Sequence, residues 1–280
     1  MDPLTGPARS WLFVPATRRE RFEKAARSGA DRVILDLEDA VAPAEKVAAR
    51  EALRGAALPA GPPVYLRVNG FGTEWFEGDL AVAAALPLAG LLLPKTDSAE
   101  AVARAAAALP AGQRVVPIVE TAAGLWNAEP VARHPRVERL AFGALDFQLD
   151  TGMHDEGETF AWVRARIAVA SRVAGVAPPV DSVPLSIDDE PGILADAVRG
   201  RRFGFAGKLC IHPRQLAPIH QGFHPADAEV AWAEGLLSEW AARPVAERAV
   251  FSYRGTLVDR PVLERARSIL AQAGKAPPGP

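Results

Sequence analysis

Residues 32–41 read R-V-I-L-D-L-E-D-A-V. The first six form a near-continuous apolar run, with Asp36 close to its end and Glu38 and Asp39 directly after it. A run this short, without polar alternation, reads as a strand buried on both faces, as in a parallel sheet. The same kind of run recurs on either side: S-W-L-F-V-P at 10–15, P-V-Y-L-R-V at 63–68, A-G-L-L-L-P at 89–94 and R-V-V-P-I-V at 114–119. Three more follow, E-R-L-A-F-G at 138–143, P-V-D-S-V at 179–183 and G-F-A-G-K-L-C-I at 204–211. Helix-period segments stand between them. Thr17 and Glu20 have capping-box spacing, and so do Asp97 and Glu100. Pro43 opens a segment that ends at Gly55, and 158–174 is the longest periodic stretch. Eight strands alternating with helices predict an α/β protein, a (β/α)8 TIM barrel over residues 1–221. No G-x-G-x-x-G follows the first strand, which argues against an open dinucleotide-binding sheet.

After Gly222 the pattern changes. A helix is predicted near 225–242, an extended piece at 249–257 and a second helix from Pro261 to about Ala273. Residues 222–280 therefore read as a C-terminal helical extension, packed on the barrel or on a neighbouring subunit. The last residues, K-A-P-P-G-P, read as a disordered tail.

The 280 residues carry 32 basic and 34 acidic side chains, so charge gives no reason to expect nucleic acid or an anionic membrane as partner. A single cysteine, Cys210, excludes an intrachain disulfide framework and any cysteine-based zinc finger. The longest uncharged stretch, Leu80 to Pro94, is shorter than the roughly 20 residues of a membrane helix. No secretory signal precedes Arg18 and Arg19. The chain reads as a soluble, cytoplasmic protein.

In such a barrel chemistry sits at the C-terminal strand ends. Those ends carry Asp36, Glu38 and Asp39, then Arg67 and Asn69, Lys95, Glu120, Asp146, Asp181 and finally His212. Glu120 and Asp146 on adjacent strands suit Mg²⁺ or Mn²⁺, which take oxygen ligands and keep open positions. Both could instead cap the helices that follow. Arg67 lies in an apolar strand and needs an anion, which Glu38 could supply. The pair is either structural or a fork, oriented by Glu38, for a substrate carboxylate. Lys95 and Lys208 could form a Schiff base with a carbonyl substrate, or serve as surface lysines or phosphate contacts. His212 is placed at the site's edge, the other histidines at the surface.

Several segments resemble the citrate lyase β-subunit-like family, within the wider HpcH/HpaI aldolase/citrate lyase superfamily. They are W-L-F-V-P-A at 11–16, V-I-L-D-L-E-D-A-V at 33–41, L-R-V-N at 66–69, L-P-K at 93–95 and P-I-V-E-T-A-A-G at 117–124. F-G-A-L-D-F at 142–147, F-A-G-K-L-C-I-H-P-R-Q at 205–215 and Y-R-G-T-L-V-D-R-P-V-L at 253–263 complete the series. The resemblance implies a homotrimeric barrel that cleaves or forms a carbon–carbon bond between an acyl-CoA and a 2-oxo acid. It implies Mg²⁺ on Glu120 and Asp146, Arg67 at the substrate's carboxylate and oxo oxygens, and an aspartate from a neighbouring copy, here Asp259 in G-x-x-x-D. Two positions depart from the family pattern: Leu145 stands where a glutamate is common, and Ala16 where a glycine is usual.

The expected function is that of a Mg²⁺-dependent lyase acting on a citramalyl-, malyl- or citryl-CoA type of thioester. Catalysis is expected from Arg67, Glu120 and Asp259, substrate binding from Arg67, Glu120 and Glu38, and metal binding from Glu120 and Asp146. Arg18 and Arg21 are candidates for the CoA phosphates. Rival readings are a citrate lyase β subunit acting only within a complex, a CoA-independent 2-oxo acid aldolase, and a non-catalytic oxo-acid-binding protein.

Overall fold

Eight parallel strands close into a barrel: β1 (Ser10–Pro15), β2 (Arg32–Asp36), β3 (Val64–Arg67), β4 (Gly90–Leu93), β5 (Arg114–Val119), β6 (Ala141–Phe142), β7 (Val180–Asp181) and β8 (Gly207–Cys210). Each pairs with the next, and β8 returns to β1. The structure is a computed structural model that describes residues 8–154 and 158–276. The predicted (β/α)8 barrel is therefore present, strand for strand. β6 and β7 are two residues each, shorter than predicted, but backbone bonds such as Val180 N–H to Leu140 O continue the ladder beyond them.

Strand periodicity of two divides each run between two environments. Trp11, Ile34, Tyr65, Leu92, Ile118, Ala141, Val180 and Leu209 fill the barrel interior. Their chain neighbours, among them Leu12, Val33, Leu66, Leu93, Val119 and Cys210, belong to the larger core beneath the surrounding helices. Both faces are apolar, hence the continuous runs.

Two rim candidates fall on the outer face. Val180 points inward, so Asp181 points outward; Leu209 points inward, so Lys208 points outward. Lys208 is fully buried, with Nζ 3.1 Å from Asp181 and 2.6 Å from Asp196. Arg164 joins Asp181 at 3.2 Å. Lys208 is thus neither a surface lysine nor a phosphate contact but the centre of an ion network behind the barrel wall. Removing one member leaves uncompensated buried charge. Lys208→Met should lower unfolding stability by about 3–5 kcal/mol in urea titrations; an unchanged midpoint would mean that the network is dispensable.

Local helix signals held less well. Thr17 and Glu20 form no capping box: a 3-10 turn, Arg19–Arg21, precedes the helix Phe22–Ala26, and no side chain caps either. At the second site Ser98, not Asp97, adopts the extended cap geometry and accepts the Ala101 N–H. The helix Ala161–Ala174 ends at Gly175 in the left-handed region (φ 76°), but Asp227–Ala242 is longer.

The chain divides into two compact units between Phe223 and His224. The second contains the helices Asp227–Ala242 and Arg260–Gln272 and, between them, the antiparallel pair β9 (Phe251–Tyr253) and β10 (Thr256–Val258). Arg254 and Gly255, both at positive φ (50° and 81°), make the two-residue turn that right-twisted strands require. Leu236, Phe251, Val258, Leu263 and Leu270 are among the residues of its own core. Asp259 follows β10 and caps the last helix, accepting the Val262 N–H at 3.3 Å. Lys275 pairs with Glu234 at 2.7 Å, while residues 277–280 of the predicted tail lie outside the described residues. Among the described residues no helix is long and apolar enough to cross a membrane.

Candidate active site

The interior parity places three charged side chains above the barrel core: Ile34 and Asp36, Tyr65 and Arg67, and Ile118 and Glu120 are each two residues apart. Asp36 and Arg67 are also register partners across β2 and β3. The Arg67 guanidinium donates from Nε to Asp36 Oδ1 at 2.8 Å and from Nη2 to Oδ2 at 2.6 Å, a bidentate fork. Nη1 lies 2.9 Å from Glu38 and 3.2 Å from the exposed Asp39, and the group stacks over Phe13 at 4.6 Å. Glu38 was the predicted partner; Asp36 holds the fork. The three carboxylates raise the Arg67 pKa, more than offsetting its burial.

Lys95 follows β4 in the left-handed region, φ 47°, which is uncommon without a glycine. That turn lets one residue reach three carboxylates. Its backbone N–H donates to Glu120 Oε1 at 2.7 Å and its ammonium to Glu38 Oε1 at 2.8 Å. The same Nζ lies 3.4 Å from Asp146 and 3.9 Å from Glu120. Burial disfavours its charge, but the bond to Glu38 and the Glu120 charge outweigh it, so the pKa rises. A Schiff-base lysine needs the opposite shift, and the imine reading is withdrawn.

Glu120 is 3 % exposed. Burial, then the Glu38 charge, push its carboxyl up to about 8, with Asp146 adding to the rise and Lys95 opposing it. Burial likewise raises Glu38, against the pull of Arg67 and Lys95. Gly143, just beyond β6, is required here: a Cβ would collide with Glu120 Oε2. Asp146 lies in the first turn of the helix Ala144–Thr151 and makes no capping bond. Thr121, not Glu120, caps the helix Ala122–Trp126. The capping alternatives for both carboxylates therefore fall away.

Asp36, Asp39, Arg67, Glu120 and Asp146 line one side of a cavity of about 390 Å³ at the C-terminal ends of the strands, with Glu38 and Lys95 in contact with them. Other rim candidates are elsewhere. Asn69 is buried, bonded to Asp79 and to Leu37 O. Asp181 is in the network behind the wall. His212 caps the turn Pro213–Gln215, accepting the Arg214 N–H at 3.2 Å, and does not line the cavity. His220, predicted at the surface, is half-buried, with Nε2 2.7 Å from Ser10 Oγ. Arg18 and Arg21 are exposed. Asp259 belongs to the second unit.

The donor set fits a hard divalent cation. Glu38, Glu120 and Asp146 gather around one ammonium, three carboxyl groups against one cation. All donors are carboxylate oxygens. Among the described residues no group of three or more His, Cys, Asp or Glu side chains is placed to hold a metal ion, so an ion here would rest on two protein carboxylates. An ion held by Glu120 and Asp146 would keep positions for water and substrate, as Mg²⁺ does.

The family model for HpcH/HpaI aldolase/citrate lyase matches residues 9–213. The chain belongs to this family. Within the HpcH/HpaI aldolase/citrate lyase family it is 38% identical over 275 residues to a citrate lyase subunit beta-like protein of Deinococcus radiodurans, covering 94% of this chain and 96% of that one. A (3S)-malyl-CoA thioesterase of Cereibacter sphaeroides is 34% identical, with 95% of each chain covered. An L-malyl-CoA/beta-methylmalyl-CoA lyase of the same organism is 33% identical, covering 97% of this chain and 96% of that one. CitE of Mycobacterium tuberculosis, solved with magnesium, acetoacetate and coenzyme A, superposes with a TM-score of 0.85 at 34% identity, covering 96% of this chain and 99% of that chain. The family resemblance and the barrel expected from the motifs are both confirmed, and the citrate-lyase and malyl-CoA-lyase relatives mark the chain as a lyase.

Proposed function

We propose that this protein is a Mg²⁺-dependent carbon–carbon lyase that cleaves a β-hydroxyacyl-CoA to acetyl-CoA and a 2-oxo acid, or runs the reverse condensation. The observation that carries this reading is the Arg67 fork beside the Glu120–Asp146 carboxylate pair at one end of a cavity. Magnesium held by Glu120 and Asp146 would supply Lewis acidity to substrate oxygens.

In cleavage, the β-hydroxyl loses its proton to solvent water and the bond between its carbon and the thioester α-carbon breaks. The hydroxyl carbon becomes the carbonyl of the 2-oxo acid, and the electron pair passes into the thioester enolate, which takes one proton at carbon. Arg67 binds the oxo acid's oxygens. Asp36 and Glu38 hold its Nε and inner Nη positions, while the exposed Asp39 is the partner a substrate carboxylate would replace. Glu38 orients Arg67 and Lys95 together. Asp259, from a second copy of the chain, supplies the enolate proton. The motif Gly255 to Asp259 supports that role, the family resemblance supports a homotrimer, and the balanced charge and single cysteine of the sequence support a place in the cytoplasm.

The thioesterase relative favours a second reading, in which the thioester is hydrolysed. Malyl-CoA distinguishes the two: a lyase yields glyoxylate and acetyl-CoA, a thioesterase free thiol and malate. The test is product analysis with malyl-, citramalyl- and citryl-CoA, with Mg²⁺ and with EDTA. Release of 2-oxo acid that EDTA abolishes is expected; free thiol without 2-oxo acid would replace the lyase by the thioesterase.

A further inference from the structure

The charges of the cavity are unevenly distributed around the barrel. Strands β2 to β6 and the turns after them bring Asp36, Asp39, Arg67, Glu120 and Asp146 to its wall. The arc from β7 through β8 to β1 brings no charged side chain among the described residues. Beside one hydroxyl, Ser182, it offers Val183, Leu185 and Ile211, and Leu145 continues this surface from the β6 turn. Leu185, Ile211 and Leu145 are 70 %, 48 % and 44 % exposed, apolar area left in water beside a polar site.

The charged side is short of cations. With Glu38 and Lys95, which contact Arg67 and Asp146, it holds five carboxyl groups against two cationic side chains, and a divalent cation on Glu120 and Asp146 would still leave it one positive charge short. Arg67 is committed to three of those carboxyls, and only the exposed Asp39 is readily exchanged. One substrate carboxylate can be matched there; a second would meet either carboxylates or leucine and isoleucine. Arg164 and Arg199 line an adjoining hollow of about 420 Å³ that shares Leu145, Ser182, Val183 and Leu185 with the cavity, but there they are paired with Asp181 and Asp196.

We infer that the 2-oxo acid handled here carries a single carboxylate and an alkyl side chain, and that Leu145, Leu185 and Ile211 set this preference by covering that chain. The inference rests on the lyase reading and narrows its substrate. It selects pyruvate and its longer homologues over glyoxylate, which has no side chain, and over oxaloacetate, whose side chain is charged. Each methylene covered by the apolar arc should raise kcat/KM roughly fourfold, and a charged side chain should lower it by at least about tenfold.

The test is the Mg²⁺-loaded full chain with acetyl-CoA and, in turn, glyoxylate, pyruvate, 2-oxobutyrate and oxaloacetate. Initial rates of hydroxyacyl-CoA formation are followed by chromatography, and binding of each oxo acid by calorimetry. The expected order places 2-oxobutyrate and pyruvate above glyoxylate and oxaloacetate in both readouts. Leu145→Arg and Leu185→Arg, at exposed positions, should each shift the ratio toward oxaloacetate. Oxaloacetate or glyoxylate equal to or above 2-oxobutyrate would overturn the inference and leave the lyase standing. So would variants that change only the KM for acetyl-CoA, since the apolar arc would then carry the thioester's arm. Failure of every oxo acid to bind or react would overturn the lyase reading itself.

Discussion

Asp259→Asn should reduce kcat by about a thousandfold or more while leaving the fold, Mg²⁺ binding and oxo-acid binding nearly unchanged. Asparagine caps a helix as well as aspartate does, so the Val262 N–H keeps its acceptor and only the exchangeable proton is lost. Asp259→Ala removes both, and should add a stability loss of about 1 kcal/mol. The pair separates chemistry from structure. Activity lost in both variants, with Tm lowered only in the alanine variant, assigns the carboxyl a chemical role. An active asparagine variant would reduce Asp259 to a cap. Loss of oxo-acid binding along with turnover would make its role structural.

Glu120→Gln is the second large effect. The amide oxygen can still accept the Lys95 N–H, but the charge that would hold the cation is gone. Mg²⁺ affinity should fall by at least about 100-fold, and turnover with it. The wild-type pH dependence carries its own signature. The Glu120 carboxyl, at about 8, lies above its ordinary value of 4.5, so the metal-free fold prefers it protonated. Below pH 8 the cation must displace that proton, and affinity should weaken about tenfold per pH unit, becoming flat above 9. For the same reason the metal-free chain loses stability as pH rises from about 4.5 toward 8, the raised carboxyl having favoured folding only while protonated. Calorimetry in two buffers of different ionisation enthalpy counts the released proton. A Mg²⁺ affinity independent of pH between 6 and 8 would show that Glu120 is already ionised, and that burial and the Glu38 charge do not hold its proton.

The rim was legible in outline. Asp36, Glu38, Asp39, Arg67, Lys95, Glu120 and Asp146 all stand at strand ends in the sequence, and the fold gathers them. Asp181, Lys208 and Asn69 stand at strand ends too, and are buried away from the cavity. A strand end gives height along the barrel axis; parity gives the face. The spacing Ile34-x-Asp36, Tyr65-x-Arg67 and Ile118-x-Glu120 is visible in the sequence. Which parity is inward is not, because both faces of each run are apolar. The contacts of Lys95 were hidden for another reason: they depend on a left-handed turn that a lysine does not announce.

Element order, eight buried strands, the change of pattern after Gly222 and the family motifs were all determined by the sequence alone. Each rests on local periodicity or on residues adjacent in the chain. Tertiary structure decided the rest: which face of each strand enters the barrel, that Asp36 rather than Glu38 grips Arg67, and that one lysine serves three carboxylates. Those outcomes depend on closure of β8 on β1 and on the β2–β3 register. Closure and register are set by packing between segments distant in sequence, which no local pattern encodes.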